Sequence, residues 1–273
     1  MNIPKFAEMY ERDLRFKNYA ELTIGNYVSQ IKMFLAHFDK SEPKKINQDN
    51  IKDYLLTKIN INSRKHAHSA IKLFYLHTMK QKRKFDWIEY SRSSHTEPIL
   101  LSLDEISRMF KSTDNTKHIA ILATLLSTGC RRQELIDLKL TDFDKDNRVI
   151  YIRHGKGNKF RKVPYNDILR EYLEPYYREH KPKEWLFENP GGGQYSPESV
   201  LKVIKQMALK AGINKRAYTH LIRHVNITFL CEQKENMAVI KEITGHKSDK
   251  SLSTYIHLSS KIVANVETPL NRV

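Results

Sequence analysis

The stretch "YTHLIRH", residues 218–224, sets His220 and His224 four positions apart, with Arg223 beside the second. On a helix that spacing is one turn, so both imidazoles face the same way. A zinc helix of the His-Glu-x-x-His type carries a carboxylate between its ligands to serve as base. Here the position next to His224 is a fixed cation, which repels a divalent metal. No third Cys or Asp ligand stands at a telling spacing, so a metal site is disfavoured. The three side chains suit an anion better, since Arg is a pure donor and a protonated His is too. Capping or core histidines are the plainer reading; they explain His224 more easily than the whole triplet.

The charge of the chain agrees with an anionic partner. The 273 residues carry a net charge of +16, with 18 Lys and Arg against 11 Asp and Glu up to Glu97 and 29 against 20 beyond it. The excess runs along the whole chain rather than gathering in a tail, which favours a polyanion, DNA or RNA being the usual one. Hydrophobic content of 40% supports buried cores. No apolar run approaches the roughly 20 residues of a membrane span. The first residues, "MNIPKFAEMYERDL", lack the order of a signal peptide. Cys130 and Cys231 are the only cysteines. They make neither a disulfide framework nor a four-cysteine zinc site, and the expected setting is cytoplasmic.

Hydrophobic spacing predicts a mostly α chain of two domains. Up to about residue 90 it reads as a helical bundle, with one stripe at Ile24, Tyr27, Ile31, Phe34 and Leu35 and another at Ile71, Phe74 and Tyr75. Residues 91–98 are Ser-rich and end at Pro98, a linker signal. Beyond it, Ser102 and Glu105 form a capping box, and "HIAILATLLSTG" reads as a buried helix stopped by Gly129. "NRVIYIRHGKGNKFRKVPY" reads as two strands joined by a Gly-Lys-Gly-Asn turn, giving an α+β second domain with a small antiparallel sheet.

Three further stretches carry chemistry-bearing residues. In "TGCRRQEL", residues 128–135, Glu134 lies three past Arg131. That is either a plain surface pair or a guanidinium oriented by a carboxylate toward a phosphate. Lys156 lies between Gly155 and Gly157 at the hairpin tip, either solvated or inserted beside a reacting group. Gly245 and His246 are followed nine residues later by Tyr255, one of 14 tyrosines and by itself unremarkable as a packing residue.

Taken in order, these stretches resemble the tyrosine recombinase (phage integrase) family over residues 99–258. The family's TGLRxxEL, LRH, LGHxS and YTH motifs stand here as "TGCRRQEL", "LIRH", "TGHKS" and "YIH". Cys130 replaces the usual Leu, and "HVNITF" follows His224 in place of a "HTFAT"-like run; both fall at packing positions. Residues 1–90 resemble the family's helical core-binding domain more loosely. The two-domain length looks more like the Xer or simple integrase type.

The resemblance implies a site-specific recombinase that needs no cofactor or metal and works through a 3′-phosphotyrosine on Tyr255. It implies that Arg131 and Arg223 clamp the phosphate, that His220 and His246 donate hydrogen bonds and help move the tyrosine proton, and that Lys156 protonates the leaving oxygen. Glu134 would orient Arg131, and His224 would support the site. It further implies double-stranded DNA with paired half-sites as partner, a homo-tetramer on that DNA, room for accessory DNA-bending or directionality proteins, and a nucleoid-associated setting. The tail, residues 259–273, would dock on a neighbouring protomer. The alternatives are a type IB topoisomerase-like enzyme and a non-catalytic DNA-binding relative.

Overall fold

Asn2, Asn47 and Asn60 each precede a helix, and each side chain accepts a backbone N–H from that helix's first turn. They open three helices near the start of a computed structural model that describes residues 1–81, 99–153, 160–233 and 236–245. The chain divides into two units, Met1–His95 and Thr96–Val273.

The first unit contains α1 (Ile3–Phe16), α2 (Glu21–His37), α3 (Gln48–Leu56) and α4 (Ile61–Leu73). Their apolar faces meet at Leu14, Ile31, Phe34, Leu35, Ile51 and Ile71, all fully buried. Two buried tyrosines keep their hydroxyls satisfied: Tyr10 donates to the Ala70 carbonyl (2.8 Å) and Tyr75 to that of Pro43 (2.7 Å). The α2 stripe differs from expectation at one position. Val28 is buried where Tyr27 was expected, and Tyr27 lies at the margin against Tyr19 and His66. Its phenol stays nearer water while the compact Val fills the core. The fourth helix also changes character after Leu73, where Phe74–Thr78 form a π-helical turn. Neighbouring side chains on an α-helix diverge by about 100°; here the adjacent Phe74 and Tyr75 are both fully buried.

The second unit contains α5 (Leu103–Lys111), α6 (Thr116–Thr128), α7 (Arg132–Ile136), α8 (Asp167–His180), α9 (Pro197–Lys210), α10 (Thr219–Glu232) and α11 (Met237–Thr244). The Ser102–Glu105 capping box is present at the start of α5. Helix α6 packs against α8, α9 and α10. Its residues 120–125 are buried on every side. Thr124 and Thr128 fit there because each hydroxyl donates to the carbonyl four residues earlier (2.8 and 2.7 Å).

The sheet is an antiparallel meander of β1 (Phe143–Asp144), β2 (Val149–Arg153) and β3 (Phe160–Pro164). Strand β1 has only two residues, too few for a period-two pattern, and is the strand missing from the sequence expectation. Ile152 pairs with Arg161 and Ile150 with Val163, and all four side chains are buried. The protein is thus mostly helical with a small antiparallel sheet. No helix among the described residues is long and apolar enough to cross a membrane. The linker at residues 91–98, the hairpin tip with Lys156, the residues His246 and Tyr255, and the tail 259–273 lie outside the described residues.

Candidate active site

Helix α6 ends at Gly129, which takes the left-handed conformation (φ +57°) and donates its N–H to the Leu125 carbonyl (3.0 Å). Glycine is required there twice over. The dihedral disfavours a side chain, and a Cβ would lie 2.5 Å from Asn226 Oδ1. Asn226, on α10, donates from Nδ2 to the Leu126 carbonyl (2.7 Å) and at longer range to that of Ser127 (3.3 Å). The last carbonyls of α6 are thereby satisfied by another helix.

The chain turns at once into α7, with Arg131 at the position before its first turn. The Arg131 backbone N–H donates to Glu134 Oε2 (2.7 Å) and its Nη1 to Oε1 (2.8 Å). The expected pair therefore forms, but Glu134 is not at the surface. It is buried and shared with an arginine that the sequence reading did not single out. Arg161 donates from Nη1 to Glu134 Oε1 (3.0 Å) and from Nη2 to Oε2 (2.8 Å), while its Nε donates to the Ile243 carbonyl (2.7 Å). Burial alone would raise the Glu134 pKa. The bonds and charge of Arg161, then the bonds from Arg131, outweigh it and hold the pKa at about 2. Arg161 was legible in principle: β3 alternates, so Arg161 shares the inward face with Val163, and a buried arginine demands a carboxylate.

Helix α10 supplies the third part. Arg223, only 4% exposed, donates from Nη1 to the Gly129 carbonyl and from Nη2 to the Thr244 carbonyl. It joins the end of α6 to the end of α11, which Gly245 closes in the left-handed conformation (φ +68°). His220 is one turn earlier on α10 and exposed. Desolvation, then the positive field of Arg223, Arg131 and Arg132, pushes its pKa below the ordinary value. Burial, then His220 and Arg223, does the same to the half-buried His224. Both shifts favour the neutral imidazole. In that form each ring has one donor and one acceptor nitrogen, rather than the two donors considered from sequence. The fold brings Arg131, Glu134, His220, Arg223 and His224 to one junction. Cys130 at its centre is fully buried and its thiol is pushed up to about 11, chiefly by burial, so it is no nucleophile at neutral pH. Among the described residues no three His, Cys, Asp or Glu side chains are grouped to hold a metal ion.

Residues 99–261 match the phage integrase family, and residues 6–84 match the phage integrase N-terminal SAM-like domain. This chain belongs to the phage integrase family. Among its relatives, the tyrosine recombinase XerC of Bacillus subtilis is 25% identical, with 97% of this integrase and 95% of the relative covered. A tyrosine recombinase of Pseudothermotoga lettingae is 26% identical, with 90% of each covered. The fold matches XerH recombinase in a post-cleavage complex with its palindromic difH substrate, at a TM-score of 0.75 and 20% identity, covering 90% of this chain and 79% of that one. It also matches a lambda integrase dimer on a COC′ core site, at a TM-score of 0.74 and 16% identity, covering 97% and 79%. The integrase is thus a tyrosine recombinase, an enzyme of DNA strand exchange.

Two expectations follow for the integrase. Gly129→Ala combines a left-handed residue with a clash against Asn226, and is expected to cost about 1–3 kcal/mol. Urea denaturation measures this, and an unchanged midpoint would contradict the role given to Gly129. His220 should titrate below the ordinary value of about 6.5 in the free protein, because desolvation and then its arginine neighbours disfavour the imidazolium. Inorganic phosphate should raise the midpoint by opposing that field. Proton NMR of the imidazole C2–H reads both, and a free-protein midpoint at or above the ordinary value would refute the electrostatic assignment.

Proposed function

We propose that this integrase cuts and rejoins duplex DNA at specific sites through a 3′-phosphotyrosine on Tyr255. The observation that carries the reading is the junction itself. Two arginines are fixed there by acceptors of the fold, Arg131 by Glu134 and Arg223 by the Gly129 and Thr244 carbonyls. Fixed guanidiniums match the non-bridging oxygens of a phosphodiester.

A phenol titrates near pH 10, so it attacks at neutral pH only with a base or a strong positive field. The Tyr255 oxygen attacks phosphorus and the bond from phosphorus to the 5′ oxygen breaks. The phenolic proton passes to the neutral His220, and Lys156 gives a proton to the departing 5′ oxygen. His246 donates to the phosphate, and His224 supports His220 from the next turn. The transition state gathers charge on its equatorial oxygens, where each preorganised donor contributes about 3 kcal/mol. Arg131, Arg223, His220 and His246 together then supply on the order of 10 kcal/mol. One phosphoester replaces another, so the step balances without a nucleotide cofactor and reverses to rejoin the strand.

Both basic units would hold the duplex, with affinity that falls steeply with salt. Four protomers on paired half-sites would exchange strands in turn. For their coupling we favour the tail, residues 259–273, seated in a groove on a neighbouring second unit. Such a groove, of about 480 Å³, is lined by Leu103, Phe110, Ile168, Tyr172 and Phe229. Leu103 and Ile168 are 56% and 64% exposed. Ile262, Val263, Val266 and Leu270 give the tail an apolar stripe, on a segment too short to be a stable helix alone.

The nucleophile is tested with a nicked suicide duplex on a denaturing gel. The integrase should form a covalent adduct, and Tyr255→Phe should bind DNA normally and form none; an adduct on that variant would overturn the assignment. With the same duplex, Lys156→Ala should cleave slowly and recover when the 5′ bridging oxygen is sulfur, because a thiolate leaves without a proton. Truncation after Leu258 tests the tail. The shortened chain should fold and bind one half-site but lose cooperative binding to paired half-sites. Unfolding would place the tail in its own unit, and full recombination would make it dispensable.

A further inference from the structure

We propose that Arg161 is a positioning residue that aligns the Arg131 clamp with the two chain segments leading into the rest of the site. The inference rests on the reading of Arg131 as a phosphate ligand. Arg161 lies on β3, paired with Ile152 and facing inward. Its two terminal nitrogens grip both oxygens of Glu134, and its Nε holds the Ile243 carbonyl. The Glu134 carboxylate accepts from the backbone and side chain of Arg131 as well. One carboxylate therefore takes at least four donors, two from each arginine, so a shift of either arginine strains its bonds to Glu134.

The segments joined this way are far apart in sequence. The bond from Arg161 to Glu134 spans 27 residues and that to Ile243 spans 82. Each segment borders a motif residue. Helix α7 follows Arg131, β3 begins directly after the stretch carrying Lys156, and Ile243 lies three residues before His246. Arg161, itself on β3, is thus bonded both to α7 and to the end of α11. A planar guanidinium makes these three directed bonds at once; an ammonium on a flexible stem does not. The plainer reading is a buried ion pair that only stabilises the fold. Burial of both charges is costly, however, and an apolar pair of similar volume holds a fold as well. What the ion pair adds is direction.

The test uses Arg161→Gln and the milder Arg161→Lys, which keeps the charge but loses the fork. Three quantities are read: single-turnover cleavage of the suicide duplex, affinity for the same duplex, and the Nε–H signal of Arg131 in ¹⁵N NMR. Cleavage per folded molecule should fall about 10- to 100-fold in Arg161→Lys with affinity changed less than about threefold. The Arg131 signal should shift or broaden. If Arg161→Gln does not fold, Arg161→Lys decides. Cleavage that falls only with the folded fraction, or a wild-type rate with an unchanged Arg131 signal, would overturn the proposal while leaving the recombinase reading intact. If the unmodified integrase forms no adduct, the reading of the site fails, and the Arg131 signal alone still decides whether Arg161 positions it.

Discussion

A carboxylate buried between two arginines is stable only if its charge is matched and its lone pairs are filled. Glu134 meets both conditions through Arg131 and Arg161. The arrangement has a mechanical consequence. Charges in a low-dielectric setting tolerate little displacement before desolvation goes uncompensated. The α6–α7 turn, β3 and the end of α11 are therefore held to one geometry. Arg223 adds a second tie of the same kind by donating to the carbonyls of Gly129 and Thr244. The two arginines proposed to hold the phosphate are thus fixed by Glu134 and by backbone carbonyls of the fold.

This explains why the helix ends matter as much as the helices. Gly129 and Gly245 stop α6 and α11 in left-handed turns, and each stop leaves carbonyl oxygens near the junction. Asn226 and Arg223, three residues apart on α10, take up carbonyls at the end of α6, and Arg223 reaches the end of α11 as well. Backbone groups that would otherwise need water become anchors for guanidinium and amide groups. Desolvation, then the same density of cations, pushes the His220 pKa below its ordinary value, which favours the neutral imidazole with a nitrogen able to accept a proton. In the proposed mechanism, electrostatic stabilisation of a phosphate and availability of a base would thus come from one arrangement.

Much of this was readable without coordinates. The helical bundle, the buried α6 with its glycine stop, the capping box at Ser102, the hairpin, and the pairing of Arg131 with Glu134 are local or periodic features. Each depends on residues within a few positions of one another. The errors were of a different kind. Tyr27 and Val28 both pack on the core face of α2, and only packing against the neighbouring helices buries the smaller one fully. Strand β1 is two residues long and exists because β2 offers it an edge. The π-helical turn at Phe74 carries no composition signal.

The amino-acid sequence by itself determined the order of the motifs, the basic charge and the helical periodicity, because side-chain identity and spacing along the chain are properties of the chain alone. It determined that a fixed cation, Arg223, stands beside His224, which is the ground for expecting an anion there rather than a metal. The tertiary structure alone decided that Glu134 is shared, that Arg161 is its second partner, and that Arg223 is oriented by backbone carbonyls. Those bonds join residues 21 to 94 positions apart, and no spacing rule links them. It also decided the direction in which the His220 pKa moves, since a pKa depends on distance and burial, which exist only once the chain has folded.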